Sequence, residues 1–376
     1  MRPVWAEVDL GALSRNVARL RELVAPAAMC AVVKADGYGH GAVPAAQAAL
    51  AGGADVLAVA LVAEGVELRQ ANIDAVVLVL SQASPDELDD LVAQDLDATV
   101  YTTAGVADLA AAAARAGREP GRPVRVHLKV DTGMHRVGAQ PADAVALAQA
   151  IVDASGLELR SVFTHCAVAD EPDNPFTGVQ VARFEAVLAD LAAAGIAVPC
   201  VHAANTAGAI DHPERRLGMV RCGIGTYGIR AGAGAGRPGG ARAGHGAQGP
   251  GLHVKRVAAG EGISYGLRYR PTVETTIATV PLGYADGLPR RLGALGGEVL
   301  VGGTRRPIAG SVTMDQILVD CGDDAVAVGD EVVLIGRQGD QEVTAQEWAD
   351  RLGTIAYEVV CGISPRVPRR YLEVPS

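Results

Sequence analysis

Residues 29–41 read Met29-Cys30-Ala31-Val32-Val33-Lys34-Ala35-Asp36-Gly37-Tyr38-Gly39-His40-Gly41. A short apolar run ends in a lysine, and a glycine-rich turn follows. The next stretch, Val43–Ala51, is rich in alanine and reads as a helix. Strand, turn and covering helix make one unit of a parallel α/β sheet. The unit recurs up to about residue 228. Strands are predicted near Cys30–Lys34, Val56–Ala60, Ala75–Leu80, Asp97–Tyr101, Val124–Val130, Leu157–Thr164, Val198–His202 and Met219–Ile224. Helices over Val43–Ala51, Ala104–Ala116, Pro141–Ala154 and Gln180–Ala194 lie between them. An earlier helix, Leu10–Leu23, has Asp9 as its N-cap. Eight such repeats predict a (β/α)8 TIM-like barrel. Strand count alone does not separate it from a doubly wound open sheet.

The pattern then changes. Residues 231–251 are a Gly/Ala/Arg tract that cannot bury a core and reads as a flexible linker. Beyond it, apolar alternation and turn residues predict a C-terminal all-β domain, with strands near Thr272–Pro281, Glu298–Val301, Pro307–Ile308, Gln316–Asp320 and Glu331–Leu334 and one helix near Ala345–Leu352. The expected division is therefore 1–230 for the barrel, 231–251 for the linker and 252–376 for the β domain.

The chain has 376 residues, 49% of them hydrophobic and 20% charged, and a net charge of −10. That balance suits a soluble globular protein and argues against nucleic acid or an anionic membrane as partner. No apolar stretch reaches the ~18–20 residues of a membrane helix. Six cysteines without a CxxC pair, and no signal-like N-terminus, read as reduced thiols of a cytoplasmic protein. No HExxH or paired-CxxC spacing points to a metal.

Only three lysines (Lys34, Lys129, Lys255) stand beside thirty arginines. Arginine has taken over the generic cationic positions, so the remaining lysines invite a reason that guanidinium cannot meet. A primary amine at the end of a buried strand loses hydration, which lowers its pKa and leaves it able to attack a carbonyl. In a parallel barrel reactive groups gather at the C-terminal ends of strands. Lys34, then Lys129, Asp131, His135 and Arg136, then His165, then His202, Asn205 and Thr206, then Arg221, Gly223 and Ile224 all fall there. Taken singly, His165 and His202 read as core histidines, and Lys129 reads as a buried lysine paired with Asp131. Gly223-Ile224-Gly225-Thr226-Tyr227-Gly228 fits GxGxxG but opens no strand–helix unit, so a dinucleotide reading fails its context.

Together these motifs resemble the alanine racemase family over nearly the whole chain. The resemblance is carried by residues 31–41, by Lys129-Val130-Asp131-Thr132-Gly133-Met134-His135-Arg136, and by Asn205-Thr206, Arg221-Cys222-Gly223-Ile224, Ser264-Tyr265-Gly266, Gly283-Tyr284-Ala285-Asp286-Gly287, Met314-Asp315-Gln316 and Tyr357-Glu358. It implies pyridoxal 5'-phosphate as cofactor, alanine as substrate, and a head-to-tail homodimer whose active sites combine one subunit's barrel with the other's β domain. By that resemblance Lys34 holds the cofactor and acts as one acid/base. Tyr265 of the other subunit is the second, with His165 and Arg221 behind it. Tyr38, Thr206, Tyr357 and the backbone of Gly223 and Ile224 hold the phosphate, with Asn205 beside them. Arg221 faces the pyridine nitrogen. Arg136 and the backbone of Met314 meet the substrate carboxylate, carbamylated Lys129 braces Arg136, and His202, Tyr284 and Asp315 support the site. D-Alanine for peptidoglycan is the implied role. A serine-preferring or broader racemase, and a non-catalytic cofactor-binding homologue, are the alternatives. The chain departs from the pattern at His135, which could crowd the loop that aims Arg136, at Thr206 in place of serine, at Cys222 in place of proline, and in the 231–251 tract.

Overall fold

The computed structural model describes residues 4–231, 245–250 and 253–372, the stretch 245–250 by its backbone only. The chain opens with a strand that the sequence reading passes over, β1 (Trp5–Asp9), followed by the helix Leu10–Val24. Asp9 caps that helix as expected, its Oδ1 accepting the Ala12 N–H at 2.6 Å. Eight strands follow: β2 (Ala28–Val32), β3 (Val56–Val59), β4 (Val77–Val79), β5 (Ala98–Val100), β6 (Val124–Lys129), β7 (Leu157–Phe163), β8 (Val201–His202) and β9 (Met219–Cys222).

Two parallel sheets, β4-β3-β2-β9 and β5-β6-β7-β8, account for these eight strands. Hydrogen bonds close them into one barrel. Val79 N donates to Asp97 O and Asp97 N to Val77 O, which joins β4 to β5. On the other side Gly218 N donates to Val201 O and Arg221 N to Ala204 O, which joins β8 to β9. A closed ring with no open edge rules out the doubly wound alternative. Differences from the predicted strands are confined to ends. Residues 198–200 are loop, and Ile224 starts a 3-10 turn, Ile224–Tyr227.

The second unit is built from β10 (His245–Pro250), β11 (His253–Val257), β12 (Thr275–Val280), β13 (Glu298–Val301), β14 (Thr304–Pro307), β15 (Ile317–Asp320), β16 (Glu331–Gln338), β17 (Gln341–Val343) and β18 (Arg369–Leu372). Two helices, Ala345–Leu352 and Ala356–Cys361, lie in it, where the sequence reading expects one. The larger sheet runs β14-β13-β16-β10-β1-β18 and the smaller one β11-β12-β15.

Two expected boundaries need correction. The compact units are Leu13–Gly37 with Ala42–Ala241, and Met1–Ala12 with Tyr38–Gly41 and Arg242–Ser376. The N-terminal residues therefore belong to the β unit, because β1 pairs antiparallel with β10 and parallel with β18. The end of the supposed linker, His245–Pro250, is a strand held on both sides, by β1 and by β16. Residues 232–244 of the tract lie outside the described residues. Among the described residues no helix is long and apolar enough to cross a membrane, and all six cysteines are free.

Candidate active site

Lys34 follows β2 and opens a helical turn, Lys34–Gly39, where the prediction has it ending the strand. The turn is left-handed: Ala35, Asp36, Gly37, Tyr38 and Gly39 have φ of 52, 53, 60, 55 and 80°. Each non-glycine residue there costs roughly 1–2 kcal/mol, so the conformation needs anchors. Val33 O accepts the Gly37 N–H at 2.9 Å. Asp36 Oδ1 accepts the Ala42 N–H at 2.9 Å. Glu64 Oε1 accepts the Ala35 N–H at 2.6 Å while its Oε2 accepts those of Ala60 and Leu61. Glu64, absent from the sequence-derived set, thereby pins the backbone next to Lys34. Lys34 itself is half-buried.

Around that lysine the barrel unit gathers positive charge. Burial, then Arg136, then Arg221 bring Lys129 down to about 8, with Asp131 opposing and Lys34 adding to the fall. Burial and the same four cations, Arg221 foremost, hold His165 well below the ordinary histidine range. Lys34, Lys129, Arg136 and Arg221 thus share one electrostatic environment. Lys129 is 7% exposed, its Nζ lies 5.6 Å above the Phe163 ring, and that amine has no hydrogen-bond or ion-pair partner among the described residues. The expected pairing with Asp131 does not form. Asp131 instead uses Oδ1 to accept the N–H groups of Gly133 and His135. That turn leads to Arg136. His135 is exposed rather than crowded, although its φ of 55° strains the backbone.

Arg221 is buried and reaches in several directions. Its Nη1 lies 2.5 Å from His202 Nδ1. Its Nη2 donates to Thr164 O at 2.8 Å and Ala203 O at 3.0 Å, and lies 3.2 Å from His165 Nδ1. Burial brings it down to about 10, so it stays a cation at neutral pH. Its Nε–H has no partner among the described residues. Nearby in the barrel, Thr206 Oγ1 accepts the Gly223 N–H at 3.0 Å, and that of Gly225 at 3.5 Å. This hydroxyl and these amides suit an anion. Asn205 is spent differently: its Oδ1 caps the helix Thr206–Asp211 by accepting the Gly208 N–H at 3.0 Å. Cys222 leaves its thiol buried and pushed up to about 12, hence unreactive.

The β unit collects the remaining predicted residues in two groups. Tyr38 and Tyr357 face each other with ring centroids 6.1 Å apart. Tyr265, Tyr284 and Met314 are 73%, 41% and 54% exposed. Their loops are tied together by Ser264 Oγ donating to Ser311 O, Ser311 Oγ to Tyr265 O, Tyr284 N to Thr313 O and Ala285 N to Met314 O. Ser264, Gly266 and Leu267 all have positive φ, so the turn presenting Tyr265 is strained. Asp315 is paired with Arg366 at 2.7 Å, and Arg366 also lies 3.4 Å from Asp286.

Sequence reasoning misses a row of buried polar groups behind Arg221, namely Asp97, His127 and Ser161. A signal was present: in β6, Arg125, His127 and Lys129 put a polar residue at every second position of a strand that is otherwise apolar.

A closed parallel barrel with polar and cationic side chains at the C-terminal ends of its strands, followed by a β domain, defines a class of barrel enzymes. Within that class the comparisons are specific. Residues 8–231 match the N-terminal domain of alanine racemase and residues 248–371 its C-terminal domain. An alanine racemase of Symbiobacterium thermophilum is 49% identical, the match covering 99% of this chain and 97% of that one. One of Thermobifida fusca is 45% identical over 97% of each. The solved alanine racemase of Streptomyces lavendulae superposes with a TM-score of 0.93 at 39% identity, covering 100% and 98% of the two chains. The chain belongs to the alanine racemase family.

Proposed function

We propose that this protein is a cytoplasmic, pyridoxal 5'-phosphate-dependent alanine racemase that interconverts L- and D-alanine and supplies the D-isomer for peptidoglycan. One observation carries the reading: Lys34, Lys129, Arg136 and Arg221 share one electrostatic environment in the barrel. Such a concentration of positive charge favours an anionic ligand. A phosphate, a phenolic oxygen and a substrate carboxylate supply the negative charge. The donor set fits the cofactor at a second point, since the Nε–H of Arg221 suits a pyridine nitrogen acceptor.

When bound, pyridoxal 5'-phosphate acidifies the α-hydrogen of an amino acid by drawing electrons into its ring. The chain supplies the rest. Lys34 takes or returns the α-proton on one face. Tyr265 of the partner subunit serves the opposite face, so the stereocentre inverts without the substrate turning over. Arg221 keeps its own proton and so limits how far the ring nitrogen withdraws electrons, which disfavours transamination. Tyr38, Tyr357, Thr206 and the backbone of Gly223 and Ile224 hold the phosphate. Arg136 and the Met314 backbone hold the carboxylate, and a carbamate on Lys129 braces Arg136. The exposure of Tyr265, Tyr284 and Met314 in the single chain supports a head-to-tail homodimer in which a partner covers them.

Incubation with L-alanine in deuterated water tests the reaction, with chiral analysis of the product. Deuterated D-alanine is expected, together with a cofactor fixed on Lys34 after borohydride reduction. No D-alanine and an unmodified Lys34 would overturn the proposal.

A further inference from the structure

Five adjacent barrel strands each carry, in or next to them, one buried polar side chain of a connected row. Asp97 precedes β5, His127 lies in β6, Ser161 in β7, His202 in β8 and Arg221 in β9. They are 1%, 4%, 0%, 0% and 4% exposed. We infer that Asp97, His127 and Ser161 form with His202 a one-directional hydrogen-bond chain that positions Arg221, which makes the three additional positioning residues of the site.

The direction follows from chemistry. A guanidinium donates and never accepts. Arg221 Nη1 lies 2.5 Å from His202 Nδ1, so that nitrogen offers its lone pair. A neutral imidazole with Nδ1 as acceptor carries its proton on Nε2. His202 Nε2 lies 2.8 Å from Ser161 Oγ and donates to it. The serine hydroxyl has one proton of its own. It passes that to His127 Nδ1, 2.6 Å away. His127 then donates from Nε2 to Asp97 Oδ2 at 3.0 Å. Asp97 Oδ1 accepts from Arg125 Nε at 2.5 Å, which anchors the carboxylate from outside the row.

Each link forces the next, and every member of the row is at most 4% exposed. The burial and the neighbouring Arg221 that hold His202 well below the histidine range agree with its neutral form. The cation at one end and the carboxylate at the other polarise the bonds between them. Arg221 is thereby oriented through Nη1, with its carbonyl bonds from Nη2, and keeps Nε–H available. The value of that orientation for catalysis rests on the function proposed above. The chain itself does not.

The test uses the full-length protein with 15N-labelled histidine. Long-range 1H–15N correlation reads the tautomer of each ring near neutral pH. His127 and His202 are both expected as Nε2–H tautomers. Ser161→Ala should leave the His202 Nε2–H without its acceptor, which moves the 1H and 15N signals of that ring, and lower the racemisation kcat by about tenfold, the scale of one buried hydrogen bond, with KM for alanine little changed. Ser161→Thr, which keeps the hydroxyl, should restore both readouts. A proton on Nδ1 of either ring in the wild-type protein would overturn the chain, a doubly protonated His127 included. So would a Ser161→Ala protein with an unchanged His202 spectrum and unchanged kcat. Correct tautomers in a protein without racemase activity would leave the chain standing and remove the functional reading instead.

Discussion

The ring of Phe163 lies parallel to that of His202, with centroids 4.7 Å apart and planes 5° from coplanar. The same ring has the guanidinium of Arg221 5.1 Å from its centroid and the amine of Lys129 at 5.6 Å. One buried aromatic therefore supports the histidine that orients Arg221 and two of the site's cations. Phe163→Ala should lower stability by about 3–5 kcal/mol in urea denaturation through the cavity it opens. A loss below about 1 kcal/mol would show that Phe163 is not the support described.

Acid should destabilise the protein through His202. Its folded pKa lies well below the unfolded value of about 6.5, chiefly through burial and then Arg221. Between those two values the unfolded chain binds a proton that the native one refuses. Stability from this group is complete above about pH 6.5 and falls below it by about 1.4 kcal/mol per pH unit. Denaturant midpoints measured from neutral pH downward check the slope, which His202→Gln should flatten.

Lys129, brought down to about 8, has a neutral fraction that an ordinary lysine with pKa near 10.4 lacks at the same pH. Labelled bicarbonate should give one carbamate carbon signal that grows as pH rises through about 8 and is absent from Lys129→Arg. No signal at any pH would remove the anionic brace from Arg136.

One substitution should have opposite signs at two glycines. Gly39 has φ of 80°, and an added Cβ would lie 2.5 Å from Val360 O, so Gly39→Ala should destabilise by on the order of 1–3 kcal/mol. Gly178 lies inside the helix Phe176–Ala193 with nothing within 4 Å of such a Cβ, so Gly178→Ala should stabilise by about 0.5–1 kcal/mol. Thermal melts of the two variants decide it.

Tyr265, 73% exposed in the single chain, should tolerate loss of its hydroxyl. Tyr265→Phe is expected to unfold within about 0.5 kcal/mol of wild type and to keep its cofactor absorbance, while losing most racemisation in one direction. Equal rates for variant and wild type would exclude the two-base scheme.

The strand–turn–helix rhythm from Met29 to Cys222 was readable because each unit's periodicity is local, and the end residues of the barrel strands followed from it. The β1 strand was not readable. Trp5–Asp9 is short, and its partners lie at 245–248 and 369–372, so nothing near it in the chain marks it as part of a sheet. The left-handed turn after Lys34 was half-visible in its glycines, but Ala35, Asp36 and Tyr38 adopt it against their own preference because Glu64 and Val33 hold the backbone.

By itself the sequence determined the barrel repeats, the β domain and which residue types stand where chemistry is done, since those depend on spacing along the chain. Only the tertiary structure decided which protons those residues hold. The path from Arg221 to Asp97 crosses five strands, and a one-residue slip of any of them would turn its polar side chain out of the row. Hydrogen-bond direction belongs to a set of atoms gathered from distant segments, and no local pattern encodes it.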